Sequence, residues 1–378
     1  MASLNFNPGN KKVLLSVDGG GMRGVIAVAM LAELETMTGK PAHQLFDMVA
    51  GTSTGAIIAA GIATGMTAHD LLEQVYRDAL PSVFRRQPQG IQFWIKYVLT
   101  GLRHLYELKP FLDTLGQLVE GITIGNLHDN DTPENKRPIF FLTTRDIRAN
   151  NTYYVVSKGP GRKEFADWPL SGAVLASSAA PIYFPPVLGN LVDGGVGLYA
   201  NPCLAASVEA MEFIGAAEGF VDNEVMHFSL GTGYIANTRP SGAGGRFWLK
   251  DWIEYLIITG LDDSALQQVF VTQALYRRRM DFRRYNPFLD SASVRDVLGV
   301  ALTGRPNPAT LGLDSFTPEA VALMEEIGRA YARKVDWNQP DYTPWVRDRN
   351  HPDHGKGRNG GHPLPGTLPV AWQGTPYR

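Results

Sequence analysis

The chain has 378 residues, 44% of them hydrophobic and 19% charged, a balance that supplies a large core and excludes global disorder. Lys and Arg number 35 against 37 Asp and Glu, so the net charge of -2 offers no basic field for DNA or RNA. In chain order, Lys11–Val17 is a short β-branched run ending at Asp18 and three glycines, which predicts a buried strand and a turn. Met22–Thr38 has helical composition and stops before Gly39 and Pro41. Leu45–Ala50 predicts a second strand, Gly51–Gly55 a turn, and Ala56–Ala63 a buried helix of small residues. Strand, turn and helix repeated in this order predict a parallel sheet with helices packed on it.

Later strands are expected at Pro138–Thr144, Thr152–Ser157, Val187–Val192 and Val225–Leu230. Helices are expected at Pro169–Ser177, at Trp248–Tyr285 with a break near Gly260, and at Thr317–Val335. Residues 336–378 are rich in Pro and Gly and read either as an arm wrapping the domain or as a mobile tail, with their aromatics favouring wrapping. The one cysteine, Cys203, excludes a disulfide framework and any metal site of several thiolates, and points to a reducing compartment. The first residues lack the apolar region of a secretory signal, and no stretch reaches about 18 apolar residues. The expectation is a soluble cytoplasmic protein that does not span a bilayer.

Three segments carry chemistry. Gly51-Thr52-Ser53-Thr54-Gly55 fits G-x-S-x-G, where a serine on a sharp strand-to-helix turn is pushed outward and the glycines let backbone pass closely. A Ser/Thr helix cap with packing glycines is the plainer alternative. Gly19, Gly21 and Gly24 fit G-x-G-x-x-G after a strand, but the acidic residue expected about 20 positions on, at the end of the next strand, is missing. Two alternatives remain for that turn: an oxyanion cradle of glycine amides, where Arg23 could also hold a phosphate, or simple tight packing. Asp193-Gly194-Gly195 closes the Val187–Val192 run and can bring an acid to the same sheet edge, though Asp-Gly alone is mostly a turn. No acidic loop of the D-x-D-x-D-G calcium type occurs.

Taken together, Asp18–Gly24 (DGGGMRG), Gly51–Gly55 (GTSTG), Ala176–Phe184 (ASSAAPIYF) and Asp193–Gly195 (DGG) resemble, in order, the blocks of the patatin-like phospholipase family. Ser229–Gly233 (SLGTG) is similar to a further strand-end segment of that family. The resemblance implies a three-layer α/β/α fold with a mostly parallel central sheet, to which composition adds a helical C-terminal part and the Pro/Gly-rich tail. The expected organisation is a hydrolase domain over 1–335, with the motif-bearing core in 11–235 and a helical part in 245–335, followed by an arm at 336–378; beyond about residue 240 no family motif carries over, and that part is read from composition alone. The resemblance implies a phospholipase A-type lipid acyl hydrolase that needs no cofactor or metal. Ser53 would be the nucleophile and Asp193 its partner in a Ser–Asp dyad, with Gly19, Gly20 and Gly21 as oxyanion donors and Arg23 near a substrate phosphate. Two alternatives accompany it: a general carboxylesterase or thioesterase without a membrane role, and an antiviral effector switched on by a cyclic dinucleotide. A Ser53–Asp193–His227 triad is the rival constellation, but His227 falls inside a predicted strand and reads as a core histidine.

Access to lipid is expected from Ile91–Leu105, an amphipathic segment with Arg85 and Arg86 just before it, read as a cover over the Ser53 pocket, as a membrane contact, or as an ordinary surface helix. The membrane phospholipid is the expected partner, met peripherally on the inner face. Arg277, Arg278, Arg279, Arg283 and Arg284 read as a solvated or ion-paired helix, or as a phosphate site for a headgroup or nucleotide activator.

Overall fold

The computed structural model describes residues 8–84, 104–119, 121–132, 136–235, 243–248, 252, 260–276 and 278–337. Its strands are β1 (Lys12–Val17), β2 (Met48–Gly51), β3 (Ile139–Asp146), β4 (Asn151–Val156), β5 (Leu191–Asp193), β6 (Val225–Leu230) and β7 (Asp281–Tyr285). Among the described residues they form one sheet in the order β4-β3-β2-β1-β6-β7, with β5 also paired to β3. The pairs β1–β2, β1–β6, β2–β3 and β6–β7 are parallel, while β4 and β5 run antiparallel to β3.

Six helices frame the site: α1 (Gly24–Thr38), α2 (Thr54–Thr64), α3 (Leu170–Ser178), α4 (Cys203–Val208), α5 (Gly260–Tyr276) and α6 (Pro318–Lys334). Side chains alternate across a strand, and β1 shows the result. Val13, Leu15 and Val17 join a core with α1, α2, α3 and α6, while Leu14 joins Met48, Ala50 and Phe141 in a second core with α4 and α5. The sheet is thus buried on both faces, as a parallel sheet must be, and the three-layer α/β/α architecture follows. α1 is buried over Gly24–Glu35 because it lies between the sheet and α6.

Two expectations need correction. The run Val187–Val192 is mostly not a strand. Val187 and Leu191 exchange amide–carbonyl hydrogen bonds around a tight turn whose Leu188 and Gly189 have φ of 52° and 79°, and only Leu191–Asp193 pairs with β3. The end of the Trp248–Tyr285 helix is likewise not helical: α5 stops at Tyr276, and 281–285 is the edge strand β7, with Phe282, Arg284 and Tyr285 buried. The dense arginines suggested a solvated helix face, but pairing with β6 overrides local preference. Residues 85–103, which hold most of the expected amphipathic helix with Arg85 and Arg86, and residues 338–378 of the arm lie outside the described residues.

The start of that arm is firmly packed. Trp337 is 1% exposed, and its ring lies 4.6 Å from that of Tyr285 and 6.2 Å from that of Phe228. Its indole N–H donates to the Ala332 carbonyl at 2.9 Å. Trp337→Ala is expected to cost about 3–5 kcal/mol of stability in urea unfolding. A loss below about 1 kcal/mol would mean the ring is not part of the core.

Candidate active site

Ser53 sits between the end of β2 at Gly51 and the start of α2 at Thr54, with φ 57° and ψ -126°. A side-chain-bearing residue resists that backbone conformation, so surrounding bonds must hold it there. The Ser53 amide donates to Ser177 Oγ at 3.0 Å, and Ser178 Oγ donates to the Ser53 carbonyl at 3.1 Å. Ser177 Oγ in turn donates to the Thr143 carbonyl at 2.8 Å. Two residues on, a Cβ on Gly55 would lie 2.2 Å from the Val17 carbonyl oxygen, so the second glycine of G-x-S-x-G is required by β1 itself. Sequence reasoning missed Ser177 and Ser178 as the clamp, although both fall in the Ala176–Phe184 block.

Asp193 reaches Ser53 through strand register. Gly51 of β2 pairs with Leu142 of β3, where β2 ends. β5 takes over alongside β3 from the opposite direction, and Asp193 pairs with Thr144. Ser53 stands two residues beyond Gly51 and Thr144 two beyond Leu142, so serine and aspartate meet at one level of the sheet edge. The Asp193 carboxylate accepts from the Gly195 amide at 2.8 Å and is hydrogen-bonded to the Ser53 side chain. Burial raises its pKa to about 6, against the opposing pull of those two bonds. That places a proton acceptor near working pH beside a hydroxyl.

The glycine turn after β1 forms the opposite wall. Gly19, Gly20, Gly21 and Arg23 all line the cavity that holds Ser53 and Asp193. The Gly19 amide, however, donates to the Ala200 carbonyl at 2.8 Å, which takes it out of the expected set of open donors. Neither the Gly20 nor the Gly21 amide meets an acceptor among the described residues. The Thr54 amide, first in α2, likewise meets none; it was overlooked, although the residue after the serine of such an elbow commonly supplies a donor. Gly20 cannot carry a side chain, because a Cβ there would fall 2.2 Å from Thr232 Oγ1. Arg23 is buried and its Nη1 donates to the Gly233 carbonyl at 3.4 Å.

Beneath the turn, Asp18 and Arg284 form a buried bidentate pair at 2.7 and 2.5 Å, and Arg284 also donates to Ser229 Oγ at 2.9 Å. Burial pushes the Asp18 carboxyl up while Arg284 pulls it down, and the pair keeps Arg284 protonated. The basic patch therefore splits up. Arg284 pairs with Asp18, Arg283 with Asp281, and Arg279 with Glu212 and Asp222. Arg277 lies outside the described residues, and Arg278 is exposed.

His227 is not part of a triad. It is fully buried between Ser207 Oγ at 3.0 Å and Ser16 Oγ at 2.9 Å, and burial lowers its pKa to about 3. A second serine–histidine–carboxylate row, Ser157–His128–Asp131 at 2.8 and 3.0 Å, is also structural: Ser157 is inaccessible and accepts the Phe140 amide. The cavity over Ser53 measures about 320 Å³, and Ile57, Phe84, Phe111, Tyr183, Phe184 and Leu261 give it apolar walls. Such a space suits a hydrocarbon chain with its carbonyl near Ser53.

At pH 7 an ionised Asp193 burdens the fold. The cost is absent below pH 4, appears as pH rises from the ordinary value of 3.8 through about 6, and amounts to on the order of 2–3 kcal/mol. Asp193→Asn should therefore raise the melting temperature at pH 7, while the gain vanishes near pH 4. An equal or lower melting temperature at pH 7 would contradict the burial argument.

A family model for patatin-like phospholipases matches residues 15–207, just over half of the chain. A cGAMP-activated phospholipase of Pseudomonas aeruginosa is 28% identical over 61% of this chain and 65% of its own length. A second protein of that description, from Vibrio cholerae, is 29% identical over 56% of this chain and 59% of its own. The human calcium-independent phospholipase A2-gamma is 31% identical over 52% of this chain and 25% of its own. The chain thus spans less than two thirds of the length of each of these relatives. Among solved structures, VipD from Legionella pneumophila aligns with 86% of this chain and 66% of its own at 14% identity and a TM-score of 0.39. The match across the four motif blocks makes the chain a member of the patatin-like phospholipase family.

Proposed function

We propose that the chain is a lipid acyl hydrolase of phospholipase A type, acting through a Ser53–Asp193 dyad. The observation that carries this is a serine held in a strained turn against a buried aspartate of raised proton affinity, at the floor of an apolar cavity. Asp193 takes the Ser53 proton as Oγ attacks the ester carbonyl, and the C–O bond of the acyl-enzyme forms. The Gly20, Gly21 and Thr54 amides stabilise the tetrahedral oxyanion, and Arg23, which lines the same cavity, would receive a lipid phosphate. As the C–O bond to the leaving alcohol breaks, Asp193 returns the proton to it. Water then attacks the acyl carbonyl and gives its proton to Asp193; the bond from Ser53 Oγ to the acyl carbon breaks, Asp193 passes that proton to Oγ, and the fatty acid leaves.

A dyad of this kind requires Asp193 deprotonated before attack. Turnover is expected to fall about tenfold per pH unit below about 6 and to level off above it. Ser53→Ala should abolish release of fatty acid from phospholipid vesicles and labelling by a fluorophosphonate. Hydrolysis of soluble esters by the wild type with none of phospholipid, in vesicles or in detergent micelles, would favour a general esterase instead.

Activation by a cyclic dinucleotide is the second proposal, and it rests on the relatives named as cGAMP-activated. Arg279, Arg283 and Arg284 are engaged by carboxylates and are not proposed as its binding site. Lipid hydrolysis with and without added cyclic dinucleotides tests it, and equal rates across the set would remove it. Contact with the substrate bilayer is proposed as peripheral; among the described residues no helix is long and apolar enough to cross a membrane.

A further inference from the structure

Leucine and isoleucine avoid positive φ, and the β-branched one avoids it most. Yet Ile182, Leu188 and Leu198 adopt φ of 74°, 52° and 69°, and all three are exposed. Leu188 is 87% exposed, more than any other large hydrophobic side chain among the described residues. A strained backbone that turns apolar side chains into water gains the fold nothing, which directs attention to what those side chains touch.

All three lie at the rim of the Ser53 cavity or beyond its sheet edge. Leu198 lines the cavity, as does the exposed Val196, and Ile182 stands between the lining residues Pro181 and Tyr183. Leu188 lies upstream of β5. Along β3, Asp193 pairs with Thr144 and Leu191 with Asp146, so the Leu188 turn projects past the carboxyl edge, farther out than the dyad. The Ile147 amide donates to the Asn190 carbonyl at 2.9 Å, which sets the 52%-exposed Ile147 beside that turn. Arg148, exposed, follows directly. Aliphatic tips around a cavity mouth with a cation among them suit the boundary between headgroups and acyl chains of an anionic bilayer.

We propose that this rim, made of Ile147, Arg148, Ile182, Leu188, Val196 and Leu198, is the surface by which the protein docks on anionic phospholipid, seating the cavity mouth at the acyl boundary. The proposal rests on the lipid hydrolase function above; it deepens that function by naming the face that meets the bilayer. Docking here lets an acyl chain pass from the membrane into the cavity without crossing water.

The test separates docking from catalysis and from folding. Leu188→Asn and Ile147→Ser change rim residues that do not line the cavity, and asparagine tolerates positive φ. Leu188→Asn is therefore expected to fold at least as stably as the wild type in thermal melts. In the Ser53→Ala background, sedimentation with vesicles of phosphatidylcholine and phosphatidylglycerol should fall about tenfold for the double variant, from the lost burial of two aliphatic tips. With Ser53 present, the double variant should keep hydrolysing a soluble short-chain ester and detergent-dispersed phospholipid while losing activity on vesicles. Arg148→Gln should weaken binding only to vesicles that contain phosphatidylglycerol. Unchanged vesicle binding by the folded double variant overturns the proposal, as does a shift from dimer to monomer in ultracentrifugation with vesicle binding intact, which would make the rim an interface between copies. Absence of phospholipid hydrolysis by the wild type, with rim-dependent vesicle binding retained, would sink the hydrolase function and leave the docking surface standing.

Discussion

At the carboxyl edge of the sheet, β1, β2 and α2 pass closer together than side chains allow. A Cβ on Gly51 would lie 2.0 Å from the Gly55 carbonyl oxygen, and one on Gly55 would lie 2.2 Å from that of Val17. With both ends of the pentapeptide pressed against backbone, Ser53 between them has little room except outward, at a positive φ. Two serines of α3 then hold both its peptide groups, so the strain is fixed before any substrate arrives. Placement of the hydroxyl, proximity to Asp193 and access to the cavity all descend from that crowding.

The Asp18–Arg284 pair does similar work for the opposite wall. Asp18 begins the glycine turn, and Arg284 reaches it from β7. A buried ion pair contributes little net stability beside an apolar alternative, while loss of one partner strands a charge in the interior. Its use here is positional: Thr232 Oγ1 donates to the Gly19 carbonyl at 2.8 Å, Ala200 receives the Gly19 amide, and Arg284 grips the aspartate just before. Arg284 and Thr232 both fall outside residues 15–207, so a fragment cut at the bounds of the family match would keep the dyad residues and Ala200 but lose these two supports of the glycine turn.

Much of this was legible in the residues. β1, β6, α1 and the buried helix α2 follow from short β-branched runs and small-residue composition bounded by glycine, signals that are local and strong. The four blocks led to Ser53 and Asp193 because sterically demanded glycines leave a spacing that can be read. Other features had no local signal. Arg284 lies in a run of arginines that locally suggests a solvated helix, and only its place on an edge strand turns it inward. The Gly19 amide looked as available as its neighbours, since its acceptor, Ala200, is remote in sequence. The turn at Leu188 was hidden because leucine is a poor marker for positive φ.

β3 contributes no side chain to the proposed chemistry, yet it acts as the ruler on which the dyad is measured. One of its flanks hands over from β2 to β5 within two residues, between Leu142 and Thr144. A single inserted residue in that interval would slide the β5 slot by about 3.3 Å and turn Asp193 toward the other face of the sheet. Tolerance to length change at this position is thus governed by pairing geometry rather than by distance from the reacting atoms, and drift in the family should be free in the loops but frozen in the spacing of this otherwise silent strand.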